Sequence, residues 1–142
     1  MIIGIDHVSF TVKDIHKSVE FFTKMLGFET IFLSPRSGEW QAKVTGVANA
    51  ELLVAHLNGH GHRIEFIQYL QGATPGPPPP PSVVTAAHIC MKVDNIERTE
   101  HDLLSAGATR QGHVTDVRKG CRAAYIRDPN GIIIELLELR PV

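Results

Sequence analysis

The sequence has only two cysteines, Cys90 and Cys121, and they form neither a CxxC motif nor a disulfide framework. We therefore expect reduced thiols and a cytoplasmic protein. No apolar run approaches the roughly 18 residues that a membrane-spanning helix requires. The opening stretch, MIIGIDHVSFTV, starts directly in strand-like alternation and is not typical of a signal peptide.

The sequence also lacks an excess of either charge. It contains 14 Lys and Arg against 15 Asp and Glu, interspersed along the chain, for a net charge of −1. This balance gives no electrostatic reason to expect binding to nucleic acid or to an anionic membrane. With 43% hydrophobic and 20% charged residues in 142 positions, the composition is that of a globular domain able to bury a core.

What the sequence does have is an internal repeat. IDHVSFTVKDI near the start resembles AAHICMKVDNI after the middle, so that His7 corresponds to His88 and Ile15 to Ile96. RIEFIQYL resembles IIELLELR, which matches Glu65 with Glu135. The order strand–helix–strand–strand–strand is predicted twice. The sequence therefore predicts an α+β fold of two tandem βαβββ modules.

Module 1 is predicted over residues 1–72 and module 2 over 84–142, within one domain spanning 1–142. The predicted linker, 73–83, contains six of the nine prolines, and such a run favours an extended polyproline II spacer. A first strand is expected over 2–12, a mixed, loop-like segment over 34–50 with or without part of an irregular strand, and a tight turn at NGHG. Helices are expected to begin at Asp14 and at Asp94 or Asn95.

Four polar residues interrupt the apolar strands at corresponding places: His7, Glu65, His88 and Glu135. A carboxylate within such a strand is costly to bury unless it is paired or bound to a metal. If the strands of both modules surround one cavity, two imidazoles and two carboxylates would meet there. That set suits one divalent ion, of Ni, Co, Mn, Zn or Fe, with positions left for substrate. The alternative for each residue alone is a hydrogen-bonded core His or a solvent-facing Glu.

The repeated module, the DHVSFTVKDI opening, AHICMKVDNI and the ending DPNGIIIELLEL resemble the vicinal oxygen chelate superfamily. Its members include glyoxalase I, methylmalonyl-CoA epimerase, extradiol dioxygenases and the fosfomycin- and bleomycin-resistance proteins. The resemblance implies curved sheets enclosing one metal-containing cavity, with the four polar residues as ligands. The His–Glu–His–Glu set is similar to that of bacterial glyoxalase I, and the chain resembles glyoxalase-like and methylmalonyl-CoA epimerase-like members most. Thr11 and Tyr69 stand where bacterial glyoxalase I has glutathione-binding residues, so IEFIQYLQG with the linker after it looks more like epimerase-like and lyase-like members.

The resemblance implies a divalent-metal-dependent isomerase, epimerase or lyase that shifts a proton of a small carbonyl or carboxylate substrate through an enolate. It makes Glu135 the candidate shuttling base, and Glu65 is the symmetric candidate for a second one. A homodimer is expected by resemblance only. Two alternatives remain: a non-haem iron ring-cleaving dioxygenase, and a metal-free protein that sequesters an antibiotic-like small molecule.

Four further residues are weaker candidates for substrate binding. Counting back across DPNG pairs Ala124 with Glu135 and places Arg122 on the same face, where it could hold a carboxylate. The NGHG turn places His56 on the face of Glu65, and Glu51 is an alternative second base. Trp40, the only tryptophan, is expected in the 34–50 loop as a cover for the cavity.

Overall fold

The computed structural model describes residues 1–74 and 76–141, so Pro75 of the predicted linker and Val142 at the predicted end of module 2 lie outside the described residues. The fold is α+β, with two curved sheets. The chain forms two compact units, residues 1–76 and 77–142, and their boundary falls within the predicted linker. None of the described helices is long and apolar enough to cross a membrane.

Unit 1 is a four-stranded sheet with the strand order β1-β4-β3-β2, in which the first strand runs parallel to the last. One long helix packs on one face of this sheet. The elements in chain order are β1 (Val8–Thr11), α1 (Ile15–Met25), β2 (Glu29–Arg36), α2 (Glu39–Thr45), β3 (Glu51–Gly59) and β4 (His62–Gln71).

Unit 2 repeats this plan, with the strand order β5-β9-β8-β6 and an additional short strand, β7, paired with β8. Its first and last strands are again parallel neighbours. The elements are β5 (His88–Val93), α3 (Ile96–Ser105), β6 (Thr109–Arg110), β7 (Thr115–Arg118), β8 (Cys121–Arg127) and β9 (Ile133–Leu139).

The two long helices start where the sequence predicts. The Asp14 side chain accepts hydrogen bonds from the first backbone N–H groups of α1, and Asn95 does the same for α3. The buried side of α1 includes Ile15 and Phe22, both with no exposed surface, and α1 packs on β3 and β4. Burial of this apolar face fixes the helix on one side of the sheet and leaves the other side for the candidate site.

A polar contact repeated in both units ties each helix to the last strand of its sheet. The Gln68 Oε1 atom accepts a hydrogen bond from the backbone nitrogen of Ile15 at 2.8 Å. A Glu138 carboxylate oxygen accepts from the nitrogen of Ile96, also at 2.8 Å. In the sequence repeat, Ile15 corresponds to Ile96 and Gln68 to Glu138. The two modules therefore share this helix contact as well as the strand order.

Two local predictions were wrong. The first strand begins only at Val8, and Ile2, Ile3 and Ile5 are almost fully exposed. The segment predicted as a loop over 34–50 continues β2 as far as Arg36 and then contains the short helix α2. The tight turn predicted at NGHG is present, with His60 and Gly61, both at positive φ, as its two central residues.

Candidate metal centre

In unit 1, one carboxylate lies between two imidazoles. Glu65 is on β4, His56 is its direct partner on β3, and His7 directly precedes β1. One Glu65 oxygen lies 2.9 Å from His56 Nε2, and the other lies 3.3 Å from His7 Nε2. A ligand atom from each residue lies within 4.8 Å of the other two.

Each of the two imidazoles has a further contact besides Glu65. His7 Nδ1 lies 2.8 Å from an Asp6 oxygen, and Asp6 also forms an ion pair with Arg63 at 3.1 Å. The hydrogen bond from His7 and the positive charge of Arg63 lower the pKa of Asp6 below its ordinary value. The His56 ring packs 4.5 Å from the ring of Phe32 on β2. Carboxylate support of one ring nitrogen leaves the other free to bind a metal.

Unit 2 contains the corresponding pair. His88 Nε2 lies 3.0 Å from a Glu135 oxygen. Glu135 pairs with Cys90 on β5, as Glu65 pairs with Ser9 on β1. The strand register around the two glutamates is therefore the same in both units.

The direct neighbour of Glu135 on β8 is Tyr125, whose ring lies 5.0 Å from the ring of His88. Burial, together with the nearby charge of Glu135, raises the pKa of the Tyr125 phenol. The same causes raise the pKa of the Cys90 thiol. Both groups are therefore protonated near neutral pH, so Tyr125 can donate a hydrogen bond and Cys90 is not a reactive thiolate.

The chemistry of these residues fits a divalent transition-metal ion. Each unit presents a carboxylate beside an imidazole, and in unit 1 a second imidazole is within reach. The side chains of Glu65 and His56 are only 15% and 16% exposed. Mixed nitrogen and carboxylate oxygen donors are typical of Mn, Fe, Co, Ni and Zn sites, and a partly buried carboxylate gains from a cation beside it.

The register of the β8–β9 hairpin corrects one prediction. Its turn spans 128–132, where the Asp128 N–H donates to the Ile132 carbonyl and Asp128 Oδ1 accepts from the Ile132 nitrogen. Because Ile132 belongs to the turn, Glu135 pairs with Tyr125 and not with Ala124. The one-residue shift moves Arg122 to the opposite face of β8.

Arg122 therefore contacts carboxylates other than Glu135. It forms ion pairs with Glu97 of α3, with Asp116 at 3.5 Å and with Glu138 at 4.0 Å. Its guanidinium compensates carboxylates on the helix side of the sheet and is 17% exposed. This register is incompatible with the expectation that Arg122 binds substrate. The ion pairs of Arg122 instead connect β8 with α3, β7 and β9.

Two of the other weak candidates, Glu51 and Trp40, do not contact Glu65. Glu51 starts β3, pairs with Gln71 and lines a separate cavity of about 620 Å³ beside α2. Trp40 belongs to α2 and is 52% exposed. Only His56, among the four, is in contact with Glu65.

Tyr125 was missed by the sequence reasoning, although a signal exists. The stretch AHL at 55–57 resembles AYI at 124–126, which aligns His56 with Tyr125. Each of these residues pairs with the glutamate of its own unit. The repeat therefore extends to β3 and β8. At this position unit 1 has an imidazole and unit 2 has a phenol beside the glutamate.

Comparison with protein families matches residues 4–136 to the Glyoxalase/Bleomycin resistance protein/Dioxygenase superfamily. A 2-epi-5-epi-valiolone epimerase from Actinomyces sp. is 25% identical over 147 residues, covering 96% of this chain and 80% of that protein.

Solved structures give the same picture of the fold. A glyoxalase family protein from Bacillus cereus superposes with a TM-score of 0.88 and 26% identity over 99% of this chain and 97% of that one. The fosfomycin resistance protein FosX from Listeria monocytogenes, complexed with Mn(II) and 1S,2S-dihydroxypropylphosphonic acid, has a TM-score of 0.62 and 18% identity, covering 96% and 90% of the two chains.

Proposed function

Because this chain belongs to the Glyoxalase/Bleomycin resistance protein/Dioxygenase superfamily, we propose that it is a divalent-metal-dependent enzyme that moves a proton next to a carbonyl group, as an epimerase or isomerase does. The observation that carries the proposal is the His–Glu pair repeated at the same strand register in both units. Repetition of two isolated polar residues is not needed for folding, whereas it supplies matching metal donors.

The proposed ligands are His7 and Glu65 from unit 1 with His88 and Glu135 from unit 2, on a single ion. When bound, the ion acts as a Lewis acid that polarises a substrate carbonyl and makes the adjacent C–H group more acidic. The test described below also identifies which metal ion supports activity. A homodimer of such chains, binding a small molecule, is part of the same proposal.

Glu135 is the proposed base for removal of the α-proton. It is half-buried, and the neighbouring Tyr125 phenol stays protonated. A proton on the opposite face of the substrate carbon requires a second carrier, for which Glu65 is the candidate, with His56 at 2.9 Å orienting its carboxylate. Two carboxylates on opposite faces are what an epimerase needs and a one-way lyase does not.

The first substrate to test is 2-epi-5-epi-valiolone, taken from the name of the Actinomyces relative. The protein is loaded with one divalent metal at a time and incubated with substrate in deuterated water. We expect deuterium at the α-carbon and formation of the epimer, both detected by NMR. Exchange should be lost in Glu135→Gln, with the metal content monitored separately. Unchanged exchange in that variant contradicts the role of Glu135.

A ring-cleaving dioxygenase is the second candidate, and one observation favours it. His7, His56 and Glu65 form a two-histidine, one-carboxylate group within unit 1, which is the ligand set of many non-haem iron oxygenases. Stoichiometric iron that oxidises in air, with oxygen consumed on adding a catechol, would replace the epimerase proposal. Absence of any tightly bound divalent ion after reconstitution would leave only a metal-free sequestering protein.

A further inference from the structure

The proline segment, residues 77–83, is docked on unit 2. Pro78 lies so close to Gly131 that a methyl group at position 131 would come within 2.3 Å of the proline ring. The Val83 N–H donates to the Pro80 carbonyl at 3.1 Å, which turns the chain back after the prolines. The segment therefore does more than connect two modules.

Arg127, at the end of β8, holds this segment in place. One Nη atom donates to the Pro79 carbonyl at 2.9 Å, and the other donates to the Gly131 carbonyl at 2.6 Å. Its Nε donates to the Gln111 side chain at 2.7 Å. One guanidinium thus joins the proline segment, the β8–β9 turn and the loop after β6. All three acceptors are neutral, so the bonds fix position without neutralising a charge.

Pro81 of the docked segment lines one side of a surface cavity of about 270 Å³ that is open to solvent. Residues 111–113 and residues 123–125 of β8 also line it. The Gln111 and Gly112 N–H groups both donate to the Tyr125 carbonyl at 3.0 Å, which ties this loop to β8. Tyr125 thus lines the cavity and also lies beside His88, with 5.0 Å between the two ring centres, which links the cavity to the proposed metal ligands of unit 2.

The lining of this cavity indicates what it accepts. The described residues around it include the rings of Pro81, Tyr125 and His113 and the amide side chain of Gln111, but no Asp, Glu, Lys or Arg. The nearby Arg127 already has three acceptors. A phosphate or carboxylate held in this cavity, away from the proposed metal ion, would meet no Lys or Arg side chain, whereas ring faces and neutral donors suit a hydroxylated ring.

We propose that the proline segment, fixed by Arg127, is a wall of the substrate pocket and selects an uncharged, hydroxyl-bearing ring. This inference rests on the proposed function, since it makes the pocket part of the same site. It accounts for the proline run: a preformed polyproline wall does not lose much conformational entropy when a ligand binds.

The test measures binding of two probes to the metal-loaded full chain by calorimetry. One is 2-oxo-myo-inositol, an uncharged cyclic polyol ketone, and the other is 3-dehydroquinate, a cyclic polyol ketone with a carboxylate. Arg127→Gln removes the clamp, Pro81→Trp fills the cavity, and Arg118→Gln on β7 is the matched control for loss of a surface arginine. Metal content and circular dichroism are recorded for each variant.

We expect the uncharged probe to bind wild type more tightly than the carboxylate probe. Both cavity variants should weaken its affinity by about tenfold or more, with metal content and the Arg118→Gln affinity unchanged. Equal or tighter binding of 3-dehydroquinate, no binding of either probe to wild type, or unchanged affinity in both cavity variants overturns the inference. Probe binding that behaves as expected without α-proton exchange on any ketone supports the pocket and rejects the proposed function.

Discussion

Glu65 and His56 are direct partners on neighbouring strands, with 2.9 Å between the carboxylate and Nε2. Unit 2 places Tyr125 at the equivalent position beside Glu135. The repeat thus preserves the proposed ligands and changes the residue next to each carboxylate. This difference gives the two carboxylates different chemical environments.

The first prediction concerns His56 as a positioning residue for Glu65. His56→Leu should keep the metal but slow α-proton exchange, because Glu65 loses the hydrogen bond that orients it. His56→Gln retains a donor and should recover much of the rate. Metal analysis and NMR exchange rates check this. If both variants lose the metal, His56 is a ligand and the two-histidine, one-carboxylate interpretation gains support.

The second prediction concerns the helix anchors. Gln68→Ala leaves the buried end of α1 without its acceptor for the Ile15 N–H and should lower the free energy of unfolding by about 1–3 kcal/mol. Gln68→Glu restores an acceptor at this site and mimics Glu138 of unit 2. Urea unfolding measures both variants. Equal stability of wild type and Gln68→Ala would show that the contact does not contribute.

The third prediction is a pH dependence. Hydrogen bonds from Arg140 and from the Ile96 N–H lower the pKa of Glu138, with burial opposing them. A depressed pKa stabilises the fold above the unfolded value, near 4.5, and this stabilisation is lost as pH falls through the folded value. The stability difference between wild type and Glu138→Gln should therefore shrink from pH 7 towards pH 3. A difference that is constant with pH contradicts the assignment.

The fourth prediction separates structure from recognition at Arg122. Arg122→Gln removes the partner of Glu97, Asp116 and Glu138 and should lower the melting temperature. Since Arg122 lies on the opposite face from Glu135, KM for the carbonyl substrate should stay within about twofold of wild type, a free-energy difference of a few tenths of a kcal/mol. A large rise in KM without loss of stability would restore Arg122 as a substrate-binding residue.

Much of the fold can be predicted from the sequence, because the spacing of hydrophobic residues and the helix-capping residues determine helices and strands locally. Asp14 caps the start of α1, and Gly27, with a positive φ of 70°, follows Leu26, the residue at its C-terminal cap. Both positions reflect side-chain or backbone preferences that need no tertiary contact. The register of β8 against β9 does not follow in this way. It depends on whether Ile132 joins the strand or the turn, and hydrogen bonds of Asp128 within the folded hairpin decide that.

Part of the candidate site could be proposed from the sequence alone. His7, Glu65, His88 and Glu135 stand out because polar residues interrupt apolar strands at repeated positions. His56 and Tyr125 were harder to recognise, because their contact with a glutamate depends on turn length as well as on composition. The cavity beside Tyr125 depends on Pro81, and nothing in a proline run states which surface it will pack against.

The most direct test of the central claim is the metal content of His88→Gln after reconstitution and desalting, measured by inductively coupled plasma mass spectrometry beside wild type and His56→Gln. If one ion is held by a histidine and a glutamate from each unit, His88→Gln should lose most of its metal, while His56→Gln keeps close to the wild-type amount. Full occupancy in His88→Gln together with loss in His56→Gln would contradict this and assign the ion to unit 1 alone.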